Sequence, residues 1–460
     1  MKGQEERVVP GQDMKPTILR PIRRRFVFEF FFICFVVALG AVESYYIGFY
    51  RFRFTDLVLI LGSFYFLLMA VRGRLERKVV ILFFIYVFYI VARILNELSS
   101  DLSVQETRTL FGMAAVYLAP PIFFVVRDSR VNRKILISLL VMGWVFALLS
   151  QLGLLVWGES YAAGPVNLGS ILGIRSRLGT ISLDYMETTN AIWRAFSVGI
   201  TLALILAKTP LRMKILGACG LILQYGGGGG GRSSLLFLLV LPLIVFAWGG
   251  AISRRERFRK IVRAGAVAMV LTIFYLWAPF GYATQVKSGG SHYDRATEVF
   301  VLLTGGWSQA DARGGFETRT LVYEQYIEGI LSSPDIFLLG TGLSKGAAFE
   351  WTGLAGLAHN MILDVWGLSG AIGLTFFLIF FGIAVYDVRG LLRATSEGTI
   401  GQLLGFAYSI AVLYMIQFML VQPTTADRSF MIVFYLASGL LLPITRWVTE
   451  NPSESSKVLS

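Results

Sequence analysis

Arginines at helix starts, and one histidine beside an asparagine, are the residues of this chain whose type and placing could do chemistry. The stretch LILQYGGGGGGRSSLLFLLVLPLIVFAW, residues 221–248, poses the question most sharply. Six consecutive glycines forfeit roughly 5 kcal/mol of helix propensity relative to alanine. Arg232 follows them, at the expected start of a new helix, where the macrodipole opposes a cation. A bound anion would reverse that opposition. Glycine amides approach phosphate oxygens closely, a helix N-terminus attracts negative charge, and a guanidinium adds paired donors. The plainer reading is a turn between two hydrophobic arms.

Arg319 repeats the pattern. Apolar spacing predicts an amphipathic helix from Thr318 to Leu331, stopped by Ser332-Ser333-Pro334, with Arg319 in its first turn. His359 and Asn360 stand in LAHNMILDVWGLSGAIGLTFFLIFF, at the edge of an apolar run. A neutral imidazole there suits proton acceptance near neutral pH, although a lone histidine at a membrane boundary also has a purely structural reading. Arg177, and Arg194 within an expected helix, are further anion-binding candidates. Arg175, Arg295 and Arg313 read as solvated loop cations, and His292 lies in the glycine- and serine-rich KSGGSHYDR. Gly340-Thr341-Gly342 lacks the strand-then-helix setting of a nucleotide loop and reads as a plain turn. No Asp-X-Asp, Gly-X-Ser-X-Gly or Walker pattern occurs, and no Cys/His cluster has zinc spacing.

The elements that must position these residues are membrane helices. The chain has 460 residues, 55% apolar and 15% charged, with a mean hydropathy of +0.66. Soluble domains average about 45–50% apolar and about 25% charged. The expected fold is an all-α integral membrane protein. Apolar stretches occur near 26–43, 54–71, 79–98, 109–126, 135–157, 188–207, 215–230, 233–252, 264–282, 365–386, 401–421 and 429–445, giving about 12 transmembrane helices. Cys34 and Cys219 both fall inside apolar runs, so no disulfide framework is indicated.

Lys and Arg concentrate in alternate connections: the N-terminal tail, RGRLERK, RDSRVNRK, KTPLRMK and RRERFRK. The positive-inside rule makes that side cytoplasmic. The net charge of +13 is therefore read as membrane orientation, not as nucleic-acid binding. The organisation expected is a cytoplasmic basic tail (1–25), helices one to nine (26–283), a large external loop with amphipathic helices (284–360), helices ten to twelve (361–446) and a cytoplasmic tail (447–460). The first helix reads as an uncleaved anchor. A second external connection runs from about Gly158 to Glu187.

In order along the chain, these residues resemble the O-antigen ligase and polymerase family of bacterial envelope glycosyltransferases. Arg177-Leu178-Gly179-Thr180, then Thr189-Asn190-Ala191, resembles the family's Arg-X-Gly segment before an Asn at a helix start. Gly231-Arg232-Ser233-Ser234 with Leu236 is similar to its Gly-Ser-Arg-Gly element, with more glycines before it. Arg319 stands like the large-loop arginine upstream of Leu339-Gly340-Thr341-Gly342. His359-Asn360, nine residues, then Gly370-Ala371-Ile372-Gly373 matches the His-Asn-X9-Gly-X-X-Gly signature. The resemblance implies glycan transfer from a polyprenyl diphosphate donor to an acceptor sugar hydroxyl, at the external face of the bacterial inner membrane. It implies neither metal nor cofactor. His359 would be the catalytic base, and Arg232, Arg319, Arg177, Arg194 and Asn360 would bind substrate. The partners implied are the lipid-linked glycan, an acceptor glycan or lipid A-core, and membrane lipid.

A polytopic transporter or flippase for envelope glycans is the alternative, and a non-catalytic scaffold is a third reading. Transporters gather polar groups at mid-membrane in repeated halves. Here no halves repeat, and the expected polar cluster lies at one face.

Overall fold

The computed structural model describes residues 44–47, 50–73, 75–127, 129, 131, 133–163, 166–167, 182–183, 188–207, 209–226, 231–248, 254–277, 317–344, 358, 360–395, 400–421 and 428–450. The expected first span at 26–43, the basic tail, and most of both external connections lie outside them. The described chain is built from helices: α1 (Phe54–Val71), α2 (Arg77–Leu98), α3 (Val104–Tyr117), α4 (Pro120–Arg127), α5 (Arg133–Ala163), α6 (Thr188–Leu206) and α7 (Leu211–Gly226). They continue with α8 (Gly231–Ala247), α9 (Arg254–Trp277), α10 (Glu317–Leu331), α11 (Pro334–Leu339), α12 (Met361–Ala394), α13 (Ile400–Val421) and α14 (Arg428–Glu450). Two short antiparallel pairs interrupt the helical pattern. β1 (Ser44–Ile47) pairs with β2 (Tyr50–Arg53), placing Tyr45 opposite Phe52, and β3 (Val166–Asn167) pairs with β4 (Ser182–Leu183). Tyr, Ile and Phe favour a pleated strand.

Among the described residues, five helical segments are long and apolar enough to cross a membrane: Arg77–Leu98, Val104–Arg127, Met361–Ala394, Ile400–Val421 and Phe430–Glu450. Large apolar side chains stay exposed on α1 (Ile60, Phe64, Leu67) and α2 (Ile81, Phe84, Ile85, Phe88). Water would oppose that surface and hydrocarbon does not. The chain is a multi-pass membrane protein. α13 and α14 form its centre, with Trp248 stacked on Phe406 at 3.7 Å between ring centroids and Tyr408 donating to the Ala437 carbonyl at 2.9 Å.

Several boundaries depart from the apolar pattern, each for a chemical reason. The span expected at 109–126 is two helices. α3 begins earlier, at a capping box between Ser103 and Glu106, and the helix breaks before Pro120-Pro121. Neither proline has an N–H, so the Val116 and Tyr117 carbonyls lose their helical donors. Ala119 N–H donates to Val116 O at 3.3 Å, and the Tyr86 hydroxyl of α2 donates to Tyr117 O at 2.6 Å. RRERFRK, expected in a connection, forms the opening turns of α9, because Arg, Lys and Glu are good helix formers. α5 likewise continues to Ala163, into the expected external connection, and α14 continues to Glu450, past the expected start of the tail.

Ion pairs among the described residues link helices distant in sequence. Arg428 Nε lies 3.2 Å from Asp56 Oδ1, and both residues are almost fully buried at the starts of α14 and α1. Those two helices therefore begin at the same end of the bundle. Arg127, at the C-terminus of α4, pairs through both terminal nitrogens with the buried carboxylate of Asp387 on α12. Its charge also suits the dipole there.

Breaking a buried pair from one side strands a charge and costs roughly 3–5 kcal/mol, whereas removing both charges costs less. Arg127→Ala should therefore lower the thermal midpoint in detergent more than the Arg127→Ala/Asp387→Ala double variant does. Additive losses in a double-mutant cycle would mean that the pair does not couple α4 to α12.

Candidate functional site

The first residues of α12 are organised by a cap and a kink. Asn360 has extended backbone, and its side-chain Oδ1 accepts from Ile362 N–H (2.9 Å) and Leu363 N–H (3.4 Å). This satisfies two of the amide donors that a helix start leaves without partners. After nine helical residues, Met361 to Ser369, Gly370 adopts φ 66°, ψ −173°, a region essentially restricted to glycine. The interval between the asparagine and the glycine is thus a capped half-helix that ends at the kink.

The three carbonyls just before the kink receive donors from outside α12. Gly367 O accepts from Thr341 N–H at 2.8 Å and from the Thr341 hydroxyl at 3.2 Å. Leu368 O accepts from Gly342 N–H at 3.2 Å, and Ser369 O accepts from the Tyr89 hydroxyl at 2.6 Å. The chain segment supplying those amides follows α11. Ser333 caps α11 by accepting from Ile336 N–H at 3.1 Å, with Pro334 as its first residue. Ser332-Ser333-Pro334 therefore starts a further helix as well as ending α10. Gly340, with φ 77°, ψ 177°, turns the chain onto the kink, and a Cβ there would lie 2.6 Å from Gly370 N. A Cβ on Gly370 would overlap the Leu338 and Leu339 backbone. The turn expected at Gly340-Thr341-Gly342 is present, and it docks backbone to backbone on α12.

α2 clamps the docked segment with a polar stripe. Tyr89, Arg93 and Glu97 follow one another at four-residue spacing, so they share one helix face. Glu97 accepts from Leu343 N–H with one oxygen (2.8 Å) and from Ser344 N–H with the other (2.7 Å). An Arg93 terminal nitrogen donates to Gly340 O at 3.4 Å. Trp366 adds a bond to Phe337 O at 3.3 Å and an edge contact with the Phe337 ring.

A buried carboxylate stands one turn into α12. Asp364 Oδ1 accepts from Ala358 N–H at 2.7 Å and from the Tyr326 hydroxyl of α10 at 3.3 Å, and neither side chain is accessible. Burial first, and the adjacent Asp364 charge second, push the Tyr326 phenol well above its ordinary range. It remains a donor at any physiological pH.

Of the residues singled out by sequence, Arg194 is a buried cation in the second turn of α6, and Asn360 is the cap just described. Arg232 is the second residue of α8, and Arg319 is the third of α10, so both stand in first turns. Their side chains, Arg177, and His359 itself lie outside the described residues. The first turn of α12 therefore brings together Asn360, Asp364 and Tyr326, next in sequence to position 359. Sequence reading passed over Asp364, although a lone acid in an apolar run marks a special site. It also passed over the α2 stripe, whose signal is three polar side chains at i, i+4 and i+8 in a membrane helix.

Alanine at Gly340 or Gly370 should destabilise severely, because each adds steric overlap to about 1–3 kcal/mol of backbone strain. Gly382→Ala, on the same helix with open space around its Cβ, should be neutral or slightly stabilising. Thermal midpoints in detergent test the contrast, and a Gly370→Ala protein as stable as Gly382→Ala would contradict the docking.

Set beside known proteins, the chain matches no protein-family model, and no curated protein is significantly similar to it.

Proposed function

We propose that this chain is a membrane glycosyltransferase of the O-antigen ligase and polymerase type. On this reading it crosses the bacterial inner membrane about 12 times, both termini are cytoplasmic and the site faces outward. One observation supports the reading above the others. The interval in His-Asn-X9-Gly has a physical meaning here, as the half-helix between the Asn360 cap and the Gly370 kink. A motif match that was merely accidental would have no reason to coincide with both ends of a structural unit.

The chemistry follows from the residue types. The acceptor hydroxyl oxygen attacks the anomeric carbon of the lipid-linked sugar, and the bond to the diphosphate breaks with its electron pair. Negative charge grows on the leaving group, where Arg232 and Arg319 would stabilise it more than they stabilise the ground state. Arg177 and Arg194 would hold the glycan or the diphosphate. His359 takes the hydroxyl proton. Asn360 commits its amide oxygen to α12, which leaves the amide nitrogen to orient the imidazole or the sugar. Ligase and polymerase share this donor and differ in acceptor: lipid A-core for one, another glycan chain for the other.

Purified protein in nanodiscs, given a lipid-diphosphate oligosaccharide and an acceptor, tests the reading. His359→Gln cannot take a proton and should slow transfer by about 10²–10⁴-fold. Lysine at Arg232 or Arg319 keeps the charge without the planar fork and should cost about 10²-fold. Parental rates in all three variants, or transport of the intact donor without transfer, would overturn the proposal and favour a flippase.

A further inference from the structure

Ala358 and Asn360, the residues on either side of His359 in sequence, are each held by hydrogen bonds. On one side, Asn360 is locked as the cap of α12 through its bonds to Ile362 and Leu363. On the other, Ala358 N–H is tied to Asp364 Oδ1 at 2.7 Å. The first residues of a helix, and the loop leading into it, ordinarily fray because their amides lack partners. Here a carboxylate from one turn inside the helix reaches back and removes that freedom.

The same oxygen accepts from Tyr326 on α10. Tyr326 follows Arg319 by seven residues, two helical turns along α10. One buried atom thus joins the two chain segments that carry His359 and Arg319. We propose that Asp364 is a positioning residue, setting the entry into α12 at Ala358 and holding α10 in register with it. The proposal rests on the glycosyltransferase reading of those two residues. Asp364 itself takes no proton in the reaction. Its part is geometric, and a displacement of about 1 Å at a reacting group costs on the order of 10²-fold in rate.

The substitutions separate geometry from charge. Asn at this position would still accept from Ala358 and Tyr326, whereas Ala would accept from neither. In nanodiscs, Asp364→Ala should slow transfer by about 10²-fold while leaving the affinity for undecaprenyl diphosphate within about twofold. Asp364→Asn should restore transfer to within about fivefold of the parent. Tyr326→Phe removes one donor only, and should lower the rate at unchanged affinity even if the alanine variant fails to fold. The proposal is overturned if Asp364→Ala transfers at the parental rate, if its affinity falls in step with its rate, or if Asp364→Asn is as slow as Asp364→Ala. An unchanged rate in Tyr326→Phe would also overturn it.

A second readout needs no activity. The chain has two histidines, so His292→Gln leaves His359 as the sole imidazole for NMR with labelled histidine. Asp364→Ala should split or broaden that resonance, and Asp364→Asn should keep it single. A parental protein that transfers nothing sinks the enzymatic reading, whereas an unaltered resonance in Asp364→Ala sinks the positioning role.

Discussion

A helix that breaks at membrane depth must find new donors for the carbonyls it releases, because hydrocarbon offers none. Each polar group left bare costs roughly 2–7 kcal/mol, depending on the reference state. Gly370 creates that debt in α12, and the returning segment from Gly340 to Ser344 meets it with the amides of Thr341 and Gly342. Ordering a segment costs about 1–2 kcal/mol per residue in backbone entropy, a sum of the same order as the carbonyl penalty. The clamp from α2 therefore decides the balance. Glu97 caps the far end of the segment through two amides, and Tyr89 satisfies the last carbonyl before the kink.

This constraint propagates outward. The docked segment leaves no space for a Cβ at Gly340 or Gly370, so the closeness of two backbones, with the Trp366–Phe337 contact, sets where α11 lies. α11 in turn follows α10, whose Tyr326 reaches Asp364 within the half-helix. Among the described residues, the segment before α12 is thus tied to it at its kink, through Trp366 and at its first turn. Under the proposed function, a bound donor would meet groups fixed by backbone hydrogen bonds, which lose little order as charge develops.

The apolar runs made the helices of this fold legible, since membrane helices declare themselves by length and hydropathy. Charge was a poorer guide to boundaries: RRERFRK looks like a connection but is helix, because helix propensity is indifferent to solvent-facing charge. The double proline was legible as a break in principle, while the Tyr86 hydroxyl that repairs it was not, because tertiary donors leave no local pattern. The site divides in the same way. Asn360 and Gly370 belong to a spaced motif and could be found by it. Tyr89 and Glu97 act through contacts 280 and 246 residues apart in sequence, which a single chain cannot announce. Asp364 sits between these cases, visible as a lone acid and interpretable only beside Tyr326.

Hydrogen exchange followed by mass spectrometry, on the intact protein in nanodiscs, tests the docking of the Gly340–Ser344 segment most directly. The amides of Thr341, Gly342, Leu343 and Ser344 all donate to acceptors on α12 or α2. They should exchange as slowly as helical amides in the parent, and Glu97→Ala should speed the exchange of Leu343 and Ser344 first. Exchange of all four at the rate of a solvated loop in the parental protein would contradict the account.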